Sequence, residues 1–144
     1  MDIPVHAPPD PDFETRVREN FDRQAMMATL GVDITGIGPG WIELEFDHDA
    51  RFTQQDGFVH AGAVATVLDS ACGYAAFTLM PSDATVLTVE YKINLLKPAL
   101  SGRYRAKAVV VRSGRTLTIC RGEFSAVGSP DPFAIMTGTL IALA

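Results

Sequence analysis

Cysteine is scarce in this 144-residue chain. Cys72 and Cys120 stand alone, without metal-type spacing or a disulfide framework, and read as small buried apolar residues. His6, His48 and His60 are not spaced as a zinc set. No Gly-x-Ser-x-Gly elbow presents a nucleophilic serine, and Gly36, Gly38 and Gly40 lie too far from the following helix to form a phosphate loop. No metal and no resident cofactor are expected. Positive charge is also short. Twelve Lys and Arg against seventeen Asp and Glu give a net charge of −5, so the chain has no general attraction for nucleic acid or an anionic membrane. An anionic ligand must be met by a local basic cluster. The opening MDIPVHAPPDPDFE lacks the basic and apolar regions of a secretory signal. The weakly polar stretch from Ala61 to Pro81 is interrupted by Gly62, Asp69 and Gly73, so it reads as a buried helix and not as a membrane span. A cytoplasmic protein is expected.

What is present is enough apolar material for one core: 47% hydrophobic and 20% charged residues over a length that suits one domain. Pro4, Pro8, Pro9 and Pro11 mark residues 1–12 as an extended or flexible arm, with the domain proper spanning 13–144. Asp12 is placed to cap a helix in which Phe13, Val17, Phe21, Ala25 and Ala28 recur every three or four residues, and Gly31 ends it. Two strands, Val32–Ile37 and Trp41–Asp47, follow around the turn Gly38-Pro39-Gly40. Residues 48–59 read as a loop, and His60 to Leu79 as a second helix. Four strands then complete the chain: Thr85–Leu96, Arg103–Arg112, Arg115–Ala126 and Phe133–Leu143, with a hairpin turn at 111–116 and Pro130 and Pro132 before the last. Strand runs around one helix indicate an α+β fold with a largely antiparallel sheet. The central helix is apolar or small on nearly every side, with Ala61, Gly62, Ala63, Ala65, Ala71, Gly73, Ala75 and Ala76 admitting a close-packed sheet. A sheet rolled around one helix is the hotdog arrangement.

Between Ala61 and Ser82 the only acidic or basic side chain among Asp, Glu, Lys, Arg and His is Asp69. Its helical neighbours Ala65, Thr66, Cys72 and Gly73 cannot neutralise it, and loss of hydration there favours the protonated form. A carboxylate so placed is a candidate general base or nucleophile; the alternative is a structural pair with Lys92, Lys97 or a backbone amide. His60 stands at the start of the helix, where small residues leave N–H groups open to a developing oxyanion; the alternative is a plain helix cap.

The run Gln54-Gln55-Asp56-Gly57-Phe58-Val59-His60-Ala61-Gly62, continuing to Leu68-Asp69-Ser70-Ala71-Cys72-Gly73, resembles the phenylacetate-pathway (PaaI-like) branch of the hotdog acyl-CoA thioesterases. That branch opens its central helix with His-Gly-Gly, carries an acid nine residues after the histidine and an Asn or Gln six residues before it; His60, Asp69 and Gln54 stand at those places. Thr88 in Thr88–Ala99, which ends in Pro98-Ala99, matches a position where relatives carry a water-orienting Ser or Thr, and Arg112 to Leu117 resembles the family's next hairpin. Ala61 departs from the pattern by replacing the first glycine; it keeps the backbone N–H, but its methyl narrows the space for an acyl group.

The resemblance implies hydrolysis of an acyl- or arylacyl-CoA to free acid and CoA in a homodimer or homotetramer. Gln54, His60 and the Ala61 N–H of one subunit would hold the carbonyl against Asp69 and Thr88 of the other. Asp69 would activate water or form a transient anhydride. Arg112, Arg115, Arg103 and Lys97 are the candidates for the CoA phosphates. Phe58, Val59, Tyr74 and Phe77 are candidates to line the acyl pocket, which phenylacetyl-type and medium-chain groups both suit. Two rivals remain. A hydratase or dehydratase of the same fold carries Asp and His five residues apart, or a His-Phe-Pro lead, which this chain lacks. A non-catalytic acyl-CoA sensor usually carries a DNA-reading domain, for which residues 1–30 supply one helix only.

Overall fold

The computed structural model describes residues 1–144. Two short helices, α1 (Phe13–Asp22) and α2 (Ala25–Leu30), precede strands β1 (Asp33–Gly38) and β2 (Trp41–Asp47). The long helix α3 (Ala61–Phe77) follows, then β3 (Thr85–Leu95), β4 (Arg103–Ser113), β5 (Leu117–Ala126) and β6 (Pro132–Leu143). All six strands form one antiparallel sheet in the order β1-β2-β4-β5-β6-β3, curled around α3. This is the expected α+β hotdog arrangement.

The alternation Ile42, Leu44, Phe46 on β2 and Ala134, Met136, Leu140 on β6 buries one face of the sheet against α3. From α3 come Val64, Val67, Leu68, Ala71, Cys72, Ala75 and Ala76. The two cysteines are buried as expected, with Cys120 Sγ 3.4 Å from the Cys72 carbonyl oxygen. Close approach depends on the sheet as well as on the helix. A Cβ on Gly122 of β5 would lie 3.0 Å from Leu68 Cδ2 and 3.3 Å from Cys72 Sγ. Gly122→Ala is therefore expected to overpack this contact and lower unfolding free energy by about 1–3 kcal/mol, read by urea denaturation.

The single N-terminal helix read from the sequence is two helices. At about 100° per residue, an unbroken helix would carry Met27 about 80° and Leu30 about 140° round from Val17, off the face that Val17 and Phe21 share. The chain breaks at Arg23 and at Gln24, whose backbone is extended (φ −81°, ψ 100°), and all of Val17, Phe21, Met27 and Leu30 are buried. Ala25 and Ala28, expected on the apolar stripe, are exposed. Gly31 ends α2 in the left-handed region at φ 66°. Asp12 occupies the α1 N-cap position without a side-chain cap bond; instead Asp10 accepts from the Asp12 N–H at 2.9 Å and from Arg16 Nε at 2.8 Å. Arg16 then donates to the carbonyls of Phe77 and Met80, 3.1 and 2.9 Å away, which satisfies the C-terminal end of α3. Residues 1–12 form no helix or strand, and His6 sits against Gly40 with Nε2 3.3 Å from the Val110 carbonyl oxygen.

Candidate active site

His60 caps α3. Its Nδ1 accepts the Gly62 N–H at 2.7 Å, which puts the ring proton on Nε2, facing outward. Its own carbonyl takes the N–H groups of Ala63 and Val64. The Ala61 N–H is left without an acceptor, exposed at the positive end of the helix. Gln54 is held beside this end by a tight turn through Gly57 (φ 87°), and its side-chain oxygen accepts from the N–H groups of Asp56 and Phe58. Its amide NH2 is the part free to meet a ligand. The apolar hollow beside Ala61, about 280 Å³, is lined by Val59, Val64, Leu95, Leu96, Pro98, Phe124 and Phe133, with Lys97 among them.

Asp69 lies two turns farther along α3, half-buried, on a second hollow of about 300 Å³. Its Oδ1 accepts from Thr88 Oγ1 at 2.8 Å. The carboxylate is thus open to a cavity and not sealed in the core, as the spacing alone suggested. No lysine or arginine reaches it: Lys97 lies 4.0 Å from Asp131 and over the Phe133 ring, and Lys92 forms no ion pair. Thr88 gains its aim from a β-bulge. The β3–β6 register slips between Thr88 and Glu90, so Thr88 pairs with buried Leu140 and faces α3, while Glu90 pairs with Thr139 on the outer face and accepts its hydroxyl. Regular alternation would have turned Glu90 to the same side as Thr88 and placed a second carboxylate near Asp69.

The basic residues separate. Arg103 is neutralised by three acids, at 2.8 Å from Glu45, 3.3 Å from Asp47 and 3.7 Å from Asp33, so it is not a free phosphate donor; the acids arrive on β1 and β2, which the linear spacing hides. Arg112 and Arg115 are exposed and form no ion pair. Their hairpin lies beside the start of β3, because Leu117 pairs with Ile141 and Ile141 with Leu87. Of the four apolar residues expected around an acyl group, Val59 lines the hollow at Ala61 and Tyr74 the one at Asp69. Phe58 and Phe77 line neither; Phe77 is buried beneath the Arg16 guanidinium, 4.2 Å from its ring centre.

Other reactive groups are disarmed. Burial pushes the Cys120 thiol up to about 12 and raises Cys72 as well, so neither is a thiolate nucleophile at neutral pH. Asp49, next to His48, is tied to Arg51 at 2.9 Å; hydrogen bonds from that side chain and its backbone N–H lower its pKa to about 2. No group of histidine, cysteine and acid side chains is arranged to hold a metal, and no helix is long and apolar enough to cross a membrane. The sequence reading missed Asn20, Gln24, Ser70 and Thr85, which line the hollow at Asp69. Asn20 and Gln24 come from a segment more than forty residues upstream, and nothing in the linear pattern links them to Asp69.

Known proteins bear on this geometry. The profile of the thioesterase superfamily matches residues 56–130, which include the turn after Gln54, the start of α3, Asp69 and Thr88. A thioesterase family protein from Silicibacter pomeroyi is 51% identical, with 91% of this chain and 98% of that one covered at a TM-score of 0.88. The proofreading thioesterase EntH of Klebsiella pneumoniae is 29% identical over 90 residues, 62% of this chain and 66% of that protein. The Escherichia coli PaaI protein of the phenylacetic acid degradation operon shares the fold, with a TM-score of 0.83 over 92% of this chain and 94% of that one at 18% identity. The chain belongs to the thioesterase superfamily.

Proposed function

We propose that this thioester hydrolase cleaves acyl-CoA to a free acid and CoA in a site built by two copies of the chain. The observation that carries the reading is the Asp69–Thr88 pair: a carboxylate with no cationic partner, oriented by one hydroxyl, with its other oxygen free on a cavity. Asp69 draws a proton from a water held with Thr88, or attacks the carbonyl to give an anhydride that water then opens; both routes use the same carboxylate. The carbonyl oxygen, negative in the tetrahedral state, rests on the Ala61 N–H with His60 Nε2 and the Gln54 amide beside it. The thiolate leaves readily without a dedicated acid.

One chain cannot do this alone. Ala61 and Asp69 are eight residues apart on α3, about 12 Å along its axis, too far to grip one thioester. Edge strand β3 supplies the remedy. It is 11 residues long and exposes Leu87, Val89, Tyr91 and Leu95. Such an edge is a template for pairing. Antiparallel pairing with a second β3 about a twofold axis brings the Leu95–Ala99 end of one copy beside the Thr85–Thr88 end of the other. The Ala61 hollow of one copy then meets the Asp69 hollow of its mate, and Lys97 of one joins Arg112 and Arg115 of the other at the mouth. A tetramer of such dimers is compatible with this pairing.

The test is a panel of acyl-CoAs incubated with the protein and a thiol reagent, with enoyl absorbance followed in parallel. Thiol release above the buffer rate is expected; loss of enoyl absorbance without thiol would turn the reading toward hydration, and neither signal toward mere binding. Within that assay, Arg115→Glu is expected to raise KM for acyl-CoA about tenfold while leaving a short N-acetylcysteamine thioester, which lacks phosphates, nearly unchanged. Arg103→Gln is expected to leave both KM values alone. Equal effects of Arg115→Glu on the two substrates would remove it from the CoA site.

A further inference from the structure

The two hollows differ in chemistry. The hollow at Ala61 is lined mainly by hydrophobic residues, whereas most of the residues around the one at Asp69 are polar. Its walls come from Asn20 at the end of α1, Gln24 between the two N-terminal helices, Ser70 and Tyr74 of α3, and Thr85 and Thr88 of β3. Two hydrogen bonds fasten the N-terminal helices to the turn of α3 that carries Asp69. Tyr74 Oη donates to Asn20 Oδ1 at 3.0 Å, and Ser70 Oγ donates to Gln24 Oε1 at 2.9 Å. Burial lifts the Tyr74 phenol to about 12, so it stays a donor.

Both amide oxygens are thereby engaged and both side chains are held in orientation. Neither the Asn20 Nδ2 group nor the Gln24 Nε2 group has a partner within the chain, although both residues are half-buried. A hydrocarbon entering here would strip water from two amides and give nothing back, at a cost for each unpaired group. A group bearing a hydrogen-bond acceptor replaces that water. No lysine or arginine lines the hollow and Asp69 does, so a neutral acceptor fits and an anionic one does not. Room is available: a Cβ on Gly73, one turn after Asp69, would meet nothing within 4 Å.

We propose that Asn20 and Gln24 are specificity-determining residues, reading an acyl group whose far end carries a neutral hydrogen-bond acceptor such as a hydroxyl or carbonyl oxygen. The assignment rests on the thioesterase reading and adds to it which half of the substrate enters which hollow. The acyl group enters beside Asp69. The CoA arm runs past the Ala61 hollow toward Lys97, where the only cation lining either hollow stands.

The experiment compares matched substrates by kcat/KM: hexanoyl-CoA with 6-hydroxyhexanoyl-CoA, and phenylacetyl-CoA with its para-hydroxy analogue. The wild-type protein is expected to favour the hydroxylated member of at least one pair tenfold or more, because a site built to hydrogen-bond a hydroxyl discriminates strongly against its absence. Gln24→Glu and Asn20→Asp keep the acceptors that Ser70 and Tyr74 need and replace each amide donor with a second carboxylate oxygen, which also adds a negative charge to the hollow of Asp69. Each is expected to reduce the preference several-fold, and the double variant to bring it near unity. The ratio within a pair cancels any general change in the reacting carboxylate or in folding. Gly73→Leu, which fills the hollow without touching either amide, is expected to lower kcat/KM for the arylacetyl pair by tenfold or more. Hydrolysis of every substrate with no hydroxyl preference, or a preference unchanged in the double variant, overturns the assignment while leaving the thioesterase reading standing. Failure to hydrolyse any of them overturns both.

Discussion

Replacing Asp69 with asparagine is expected to leave a folded protein whose kcat on its acyl-CoA substrate is lower by about 10²–10⁴, the range removed with a general base. The substitution is isosteric, and the Thr88 hydroxyl can still donate to the remaining amide oxygen in place of Oδ1. It strands no cation, because Asp69 forms no ion pair. A change in midpoint of thermal unfolding should therefore stay within a few degrees, and the loss of thiol release can be assigned to chemistry. Thr88→Val separates two roles for the neighbouring hydroxyl. If Thr88 only orients the carboxylate and its water, kcat falls less than for Asp69→Asn and KM barely moves. Near-normal kcat in Asp69→Asn would take this carboxylate out of the mechanism.

The parts of this site that could be read from the chain are those in which one residue contradicts its surroundings. Asp69 stands out because a 17-residue helix of mostly small and apolar side chains contains no other Asp or Glu and no Lys, Arg or His. His60 stands out because it closes a polar loop and opens that helix, and its capping role and its position at the site turn out to be compatible: Nδ1 holds Gly62 while Nε2 faces outward. What stayed hidden depends on contacts between distant segments. The bulge that aims Thr88 at α3 leaves no mark in Thr88-Val89-Glu90-Tyr91, which alternates as a plain strand would. Arg103 looked like a free cation because its three acids lie on β1 and β2, more than fifty residues upstream. The break between α1 and α2 was masked by Ala25 and Ala28, which extend the apolar period although Met27 and Leu30 are the residues that pack. That same break brings Gln24 to the wall beside Asp69, so the error about the helix and the omission of Gln24 have one cause.

Ala61→Pro tests the other half of the site with little disturbance of the fold. Ala61 is the first residue of α3, with His60 as its cap, and proline is well tolerated at this position because its fixed φ suits the helix and its missing N–H had no partner there. The preceding residue must be extended, and His60 already is, at φ −59° and ψ 136°. The variant is therefore expected to unfold at nearly the wild-type temperature while losing about 10²–10³ in kcat, the usual consequence of deleting one oxyanion donor. Retained kcat would remove the Ala61 N–H from the reaction. The two lesions also report on each other. If Asp69 of one copy serves the Ala61 N–H of the next, Asp69→Asn and Ala61→Pro chains unfolded and refolded together should recover about a quarter of wild-type activity, since half of the dimers are mixed and each of these holds one intact site. If a single chain carried both groups of one site, the mixture would stay as inactive as its components. Recovery thus depends on geometry that neither variant reveals alone: 12 Å or so of helix that one chain cannot shorten and an exposed β3 edge that a second chain can cover.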